Sequence, residues 1–129
     1  MILVIKDNAQ LITQETGRLA EDKALEYLIK AGLKFVARNY SCHTGEVDLI
    51  MRDKEFLVFI EVRSRKSERF GGGVGSITYA KRQKIIKTTS HYIIKHKVSD
   101  KYSTRFDVIS IDGALGTISW IKDAFGTDY

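Results

Sequence analysis

Two acidic residues sit inside the most hydrophobic stretch of this chain. Residues 45–65 read GEVDLIMRDKEFLVFIEVRSR, two apolar runs about a polar RDKE segment, the pattern of a β-hairpin. Strand side chains alternate between faces. Glu46, Asp48 and Ile50 therefore share one face of the first strand, and Leu57, Phe59, Glu61 and Arg63 share one face of the second. A two-residue turn at Asp53–Lys54 and a four-residue loop over 52–55 give the same register, with Asp48 opposite Phe59 and Glu46 opposite Glu61. Asp48 and Glu61 are then diagonal neighbours, about 7–8 Å apart at the backbone. Carboxylates so placed repel, and a buried unpaired charge is costly. Two arrangements relieve this: ion pairing with Arg63 on the same face, or a hard divalent cation such as Mg²⁺ held by carboxylate, water and phosphate oxygens.

The elements around the hairpin supply a third carboxylate. Residues 13–31 have a helical period and stop at Gly32, a favoured C-terminal residue. At about 100° per residue, Ala20, Ala24, Leu25, Leu28 and Tyr27 fall on one arc, and Glu21 falls among them. Glu21 either bends from the rim to water or joins Asp48 and Glu61. Residues 34–39 (KFVARN) read as a strand and 70–76 (FGGGVGS) as a flexible loop. Residues 77–96 form a second helix, with Ile85, Ile86, Thr89, Tyr92 and Ile93 on its apolar side. Residues 105–112 and 117–121 form a second hairpin. The order helix, three strands, helix, two strands predicts an α/β fold, a mixed central β-sheet flanked by helices. Residues 1–12 form an N-terminal arm or an extra strand.

Composition bounds the rest. At 129 residues the chain has the size of a single domain spanning 1–129, and 43% hydrophobic residues suffice for one core. Proline is absent, so no Pro-rich linker divides it. The only cysteine is Cys42, which excludes an intrachain disulfide and fits a reducing compartment. The apolar start, 1–5, is too short for a signal-peptide core, and no run is long enough to span a membrane. These features predict a soluble cytoplasmic protein. Cys42 and His43 lie far in sequence from His91 and His96 and lack zinc-site spacing. The 71–75 region lacks the Gly-Lys-Ser/Thr ending of a phosphate loop. The net charge of +5 and the clusters Arg63, Arg65, Lys66, Arg69 and Lys81, Arg82, Lys84, Lys87 favour an anionic partner, nucleic acid first.

The motifs GEVDLI and VFIEVRSR resemble those of the YraN-like family of uncharacterised bacterial proteins. GRLAEDKALEYLIKAGLKFVARNY, FGGGVGSITYAKRQKI and TRFDVISID extend the likeness over about residues 17–125. That family in turn resembles the restriction-endonuclease-like, or PD-(D/E)xK, superfamily, and the likeness implies a core of order α-β-β-β-α-β plus a final strand. It implies a metal-binding role for Asp48, with Glu61 as second carboxylate ligand, the backbone carbonyl of Val62 as a further ligand and Glu21 completing the acidic site. Mg²⁺ or Mn²⁺ is the expected cofactor. Nucleic acid is the expected substrate, DNA ahead of RNA, with Arg65, Lys66, Arg69, Lys81 and Arg82 along its backbone. Arg63 stands where the superfamily usually has lysine. Arginine stays protonated and cannot serve as a general base, but it can hold a phosphate oxygen. The resemblance thus implies a metal-dependent nuclease with Asp48, Glu61, Arg63 and Glu21 as its catalytic set. The alternatives are a nucleic-acid-binding module without cleavage, favoured by Arg63, and an interaction scaffold. Exposed strands leave room for a homodimer.

Overall fold

The computed structural model describes residues 8–65 and 77–126, with side chains from residue 16 onward. Residues 1–7, Lys66, Arg69 and the glycine-rich loop over 70–76 lie outside the described residues. The elements are α1 (Asn8–Lys30), β1 (Lys34–Cys42), β2 (Gly45–Asp53), β3 (Phe56–Arg65), α2 (Tyr79–His96), β4 (Ser103–Asp112) and β5 (Thr117–Phe125). They form one five-stranded sheet in the order β1-β2-β3-β4-β5. Neighbouring strands are antiparallel except β3 and β4, which are parallel. A parallel pair needs a long crossover, and α2 supplies it. The fold is the expected mixed α/β sheet with two helices, consistent with a restriction-endonuclease-like core.

Strand alternation divides the core between the two helices. Ala20, Ala24 and Leu28 of α1 pack on Leu49, Met51, Val58 and Ile60 on one side of the sheet. Ile85, Ile86 and Tyr92 of α2 pack on Ile50, Leu57, Phe59 and Phe106 on the other. The small residues of α1 bring its backbone close to the strands. Both helices end on left-handed residues: α1 leads into Gly32 at φ +103, and Lys97 after α2 has φ 54. At the start of α2 the Thr78 hydroxyl accepts the Lys81 N–H at 3.1 Å, an N-cap that leaves Ile77 outside the helix and buried.

Helix α2 starts two residues later than expected and the last two strands are longer, and three further differences from the sequence reading bear on the site. The helix begins at Asn8 rather than near residue 13, so positions 8–12 belong to α1 and form neither an arm nor a strand. Extending an existing helix costs far less than nucleating one, so weakly patterned residues can join it. The first strand runs on to Cys42, through Asn39 at φ 54, and the polar turn shrinks to His43 and Thr44.

The third difference is the hairpin register. The pairs are Ile50↔Phe59, Leu49↔Ile60 and Asp53↔Phe56, so the turn is Lys54–Glu55. Lys54 takes the left-handed conformation such a turn favours, φ 57. Asp53 stays in the strand because its Oδ2 accepts from Arg105 Nη1 at 3.0 Å. The pairing is offset by two residues from the expected one, an even number, so Ile50, Leu57 and Phe59 share a face as predicted; Val47, expected beside Leu49 and Met51, packs with Ile50 on the α2 side instead. The paired residues end at Leu49↔Ile60, and Asp48 and Glu61 follow immediately beyond that last pair, where the Asp48 carboxylate accepts the Val62 N–H.

Candidate metal centre

The end of the β2–β3 ladder, the middle of α1 and the first turns of α2 converge on a cleft. Its volume is about 310 Å³, and its walls include Gly45, Glu46, Asp48, Glu61, Lys81 and Lys84. Glu21, Glu46 and Asp48 each place one carboxylate oxygen within 4.8 Å of the others. Glu21 therefore turns inward, the second of the two arrangements its place on the apolar arc left open. Arg38 of β1 fixes it there: its Nε lies 3.2 Å from Glu21 Oε1, while Nη1 holds Asp22 Oδ1 at 2.6 Å and Nη2 donates to the Arg18 carbonyl at 3.0 Å.

Asp48 is the most perturbed acid. Its pKa is pushed up to about 8, by burial first and then by the charge of Glu61, with Glu21 adding to it. The Val62 N–H, donated to Asp48 Oδ2 at 2.8 Å, works in the opposite direction. The nearness of Glu61 raises the Asp48 pKa further, as one carboxylate disfavours the charge of another beside it. Glu46 is also raised, by burial and then by Glu21 and Glu61. Glu61 is 6% exposed and forms an ion pair with Lys81 Nζ.

Too much negative charge in a small volume is the electrostatic signature of a cation site, and the donor set says which cation. Glu21, Glu46 and Asp48, with Glu61 beside them, offer only oxygen, which suits Mg²⁺ or Mn²⁺ rather than a thiophilic metal. The residues present therefore fit the expected ion.

The remaining sequence candidates fall into three groups. Lys81 lies in the cleft, and Arg63 is half-buried on the adjoining strand position, where burial and Arg65 lower its pKa while Glu61 and Asp112 oppose them. Val62 meets the site through its N–H. Arg82 and Arg65 do not line the cleft. The Arg82 guanidinium lies 5.9 Å from the Tyr79 ring centroid, with Nε buried and without a hydrogen-bond partner, and Arg65 pairs with Asp112 in the β3–β4 ladder. Lys66 and Arg69 are outside the described residues.

Sequence reasoning missed Glu46 as a candidate ligand and Arg38 as the residue that orients Glu21. Alternation already put Glu46 beside Asp48 on one face; nothing local paired KFVARN with the helix. The fold also brings His43 and His91 together, ring centroids 6.2 Å apart. Among the described residues, however, the one group of three metal-type ligands is Glu21, Glu46 and Asp48.

Gly45 shows how tightly the cleft is built. It has φ +149, and a Cβ there would lie 3.3 Å from Thr88 Oγ1 and 3.5 Å from Lys84 Cβ. Gly45→Ala is expected to destabilise the protein by about 1–2 kcal/mol. Urea denaturation of the two proteins measures this, and an unchanged midpoint would contradict it.

The fold and this acidic cleft define a mixed α/β protein whose core is consistent with that of restriction endonucleases. The chain belongs to the uncharacterised protein family UPF0102, whose profile matches residues 20–111. It is 60% identical over 114 residues to a UPF0102 protein of Legionella pneumophila (strain Corby), covering 88% of this chain and 97% of that one. It is 48% identical over 123 residues to a UPF0102 protein of Ralstonia pickettii (strain 12J), covering 92% and 96%. A UPF0102 protein of Coxiella burnetii (strain RSA 331 / Henzerling II) is 45% identical over 118 residues, covering 92% and 98%. Among the described residues no helix is long and apolar enough to cross a membrane.

Proposed function

We propose that this cleft is the active site of a divalent-metal-dependent nuclease. The carrying observation is the trio Glu21, Glu46 and Asp48, oxygens within 4.8 Å, at a cleft that Lys81 and Lys84 also line. The carboxylates would hold a cation and the lysines would attract an anion, the combination that phosphodiester hydrolysis requires. In that reaction a water oxygen bonds to phosphorus, the bond from phosphorus to a sugar oxygen breaks, and the leaving oxygen takes up a proton. Mg²⁺ or Mn²⁺ would polarise a phosphoryl oxygen and the water.

The chain's own residues do the positioning. Asp48, Glu46 and Glu21 would hold the ion, while Glu61, expected as the second ligand, lies outside that group and is paired with Lys81. The Val62 N–H fixes the Asp48 carboxylate, and Arg38 fixes Glu21. Arg63 and Lys84 would counter the charge that builds on the phosphate. Helix α2 carries Lys81, Arg82, Lys84, Lys87 and Lys95 and no acidic residue, so it offers a nucleic-acid backbone a surface of one sign.

The test is incubation with single-stranded, duplex and branched DNA and with RNA, in Mg²⁺, Mn²⁺ or chelator. Metal-dependent cleavage is expected, reduced by about 10³-fold or more in Asp48→Ala and Glu61→Ala. Cleavage that survives both substitutions would remove this site from consideration. A second reading, a nucleic-acid-binding module without cleavage, is favoured by Arg63 at the position where lysine is usual. It predicts salt-sensitive binding with no cut product under any metal.

A further inference from the structure

We propose that Lys81, carried by α2 rather than by the hairpin, is a shuttling cation of this site: it neutralises Glu61 when no divalent ion is bound and turns to the substrate phosphate when one is. This rests on the nuclease reading for its phosphate and goes beyond it in coupling the two ligands through one side chain.

Glu61 is 6% exposed, whereas the Lys81 side chain that pairs with it is 51% exposed. A buried carboxylate is thus neutralised by an ammonium that is itself half in water. Such a pair is easy to exchange, because the ammonium has a second solvated position and loses little by leaving. The Lys81 backbone is fixed, since its N–H is bound to the Thr78 cap. Its four-carbon stem is free to swing about that anchor, carrying a point charge with three rotatable donors. Lys84, one turn along, lines the same cleft and marks where an anion would be received.

Arg63 is poorly suited to this task. It is half-buried, and its planar guanidinium lies in the fields of both Glu61 and Asp112. A planar, partly buried fork stabilises charge where it stands but does not travel. The position usually held by lysine is therefore occupied by a fixed cation, and the movable one comes from the helix.

The consequence is a pair of opposed couplings. A divalent ion and the Lys81 ammonium compete for the negative charge around Glu61. Metal binding that draws on Glu61 releases Lys81, and a released Lys81 strengthens nucleic-acid binding. Loss of the ammonium should tighten metal binding and weaken binding of nucleic acid only when metal is present.

The experiment compares wild type, Lys81→Met, Lys81→Arg and Lys84→Met at a pH above the Asp48 transition. Calorimetry gives the Mn²⁺ affinity; fluorescence anisotropy gives the affinity for a short labelled DNA with Ca²⁺ or with chelator. Lys81→Met is expected to bind Mn²⁺ about tenfold more tightly. It should bind DNA about tenfold more weakly with Ca²⁺ and within about twofold of wild type in chelator. Lys81→Arg should restore the wild-type Mn²⁺ affinity, and Lys84→Met should move it by less than Lys81→Met does. Unchanged or weaker Mn²⁺ binding by Lys81→Met overturns the proposal. So does an equal loss of DNA affinity with and without metal, and so does a wild type that binds no Mn²⁺. A wild type that shows both couplings but cuts nothing would sink the nuclease reading and leave the shuttle standing.

Discussion

Asp48→Asn should abolish divalent-metal binding and at the same time make the metal-free protein more stable at pH 8. The two effects have one origin. The Asp48 pKa in the folded protein is pushed up to about 8, above the ordinary aspartate value of 3.8. Between those values the folded state holds a proton that the unfolded state has released. Stability associated with this group is fully present below about pH 4 and is lost as pH rises through about 8. Asparagine is neutral throughout, and its oxygen can still accept the Val62 N–H that now reaches Asp48 Oδ2. The variant therefore escapes the loss, which is of the order of a few kcal/mol for so buried a group. Its melting temperature in chelator at pH 8 should exceed that of wild type by roughly 5–10 °C. Mn²⁺ should raise the wild-type melting temperature and leave the variant's unchanged, since a neutral amide is a poor ligand for a hard ion. Metal binding by the wild type near pH 7 should release roughly one proton, because the carboxyl must ionise to ligate. Calorimetry in buffers of different ionisation enthalpy reads that proton directly. An Asp48→Asn protein that melts below wild type in chelator, or that binds Mn²⁺ as wild type does, would contradict this account of the site.

What the sequence made legible here is what depends on parity and period. The approach of Asp48 to Glu61 follows from alternation and survived a register misplaced by two residues, although β2 departs from strict alternation at Val47, which packs with Ile50. Glu21 was legible for a similar reason, since a helix wheel needs only the local period. The register itself was not, because the turn depends on Asp53 being held in the strand by Arg105, which arrives from β4. Long-range pairing hid the rest. Arg38 orients Glu21 across the packing of β1 on α1, and Lys81 reaches Glu61 because the crossover lays α2 over β2, beside the carboxylates of the hairpin. Neither contact has a spacing rule that could announce it. The start of α1 was obscured in another way. Residues 8–12 (NAQLI) carry no stripe of their own and are helical as an extension of the patterned turns from residue 13 onward.

Asp107 was missed entirely, and replacing it should do more damage to the fold than any change in the cleft. It is fully buried, at 0% exposure, with both oxygens occupied. Oδ1 accepts from Arg105 Nε at 2.9 Å and from the Asp123 N–H at 2.9 Å. Oδ2 accepts from Arg105 Nη2 at 2.8 Å and from the Trp120 indole N–H at 2.9 Å. These bonds span the irregularity between Phe106 and Val108 in the β4–β5 ladder, and they hold Asp123 at its left-handed φ of 52. They also complete a charge network, since Arg105 pairs with Asp53 and lies 5.2 Å from the Phe56 ring centroid. Its pKa is raised, by the hydrogen bond to Asp107 before any other cause. Asp107→Ala strands one charge and two N–H donors at once. The expected cost is about 3–5 kcal/mol, because breaking one side of a buried pair leaves the other uncompensated. The melting temperature should drop by about 10–20 °C. Asp107→Asn should fall between the two, keeping one acceptor oxygen but setting an amide N–H₂ against donors. Trp120 fluorescence and thermal melting together read both effects. An alanine variant within about 1 kcal/mol of wild type would show that water or a shifted Asp53 can replace the carboxylate. The residue lies on the α1 side of the sheet, with Ile109 and away from Asp48. Variant protein that remains folded should therefore bind Mn²⁺ as wild type does, which separates the role of this acid in the fold from that of the acids in the cleft.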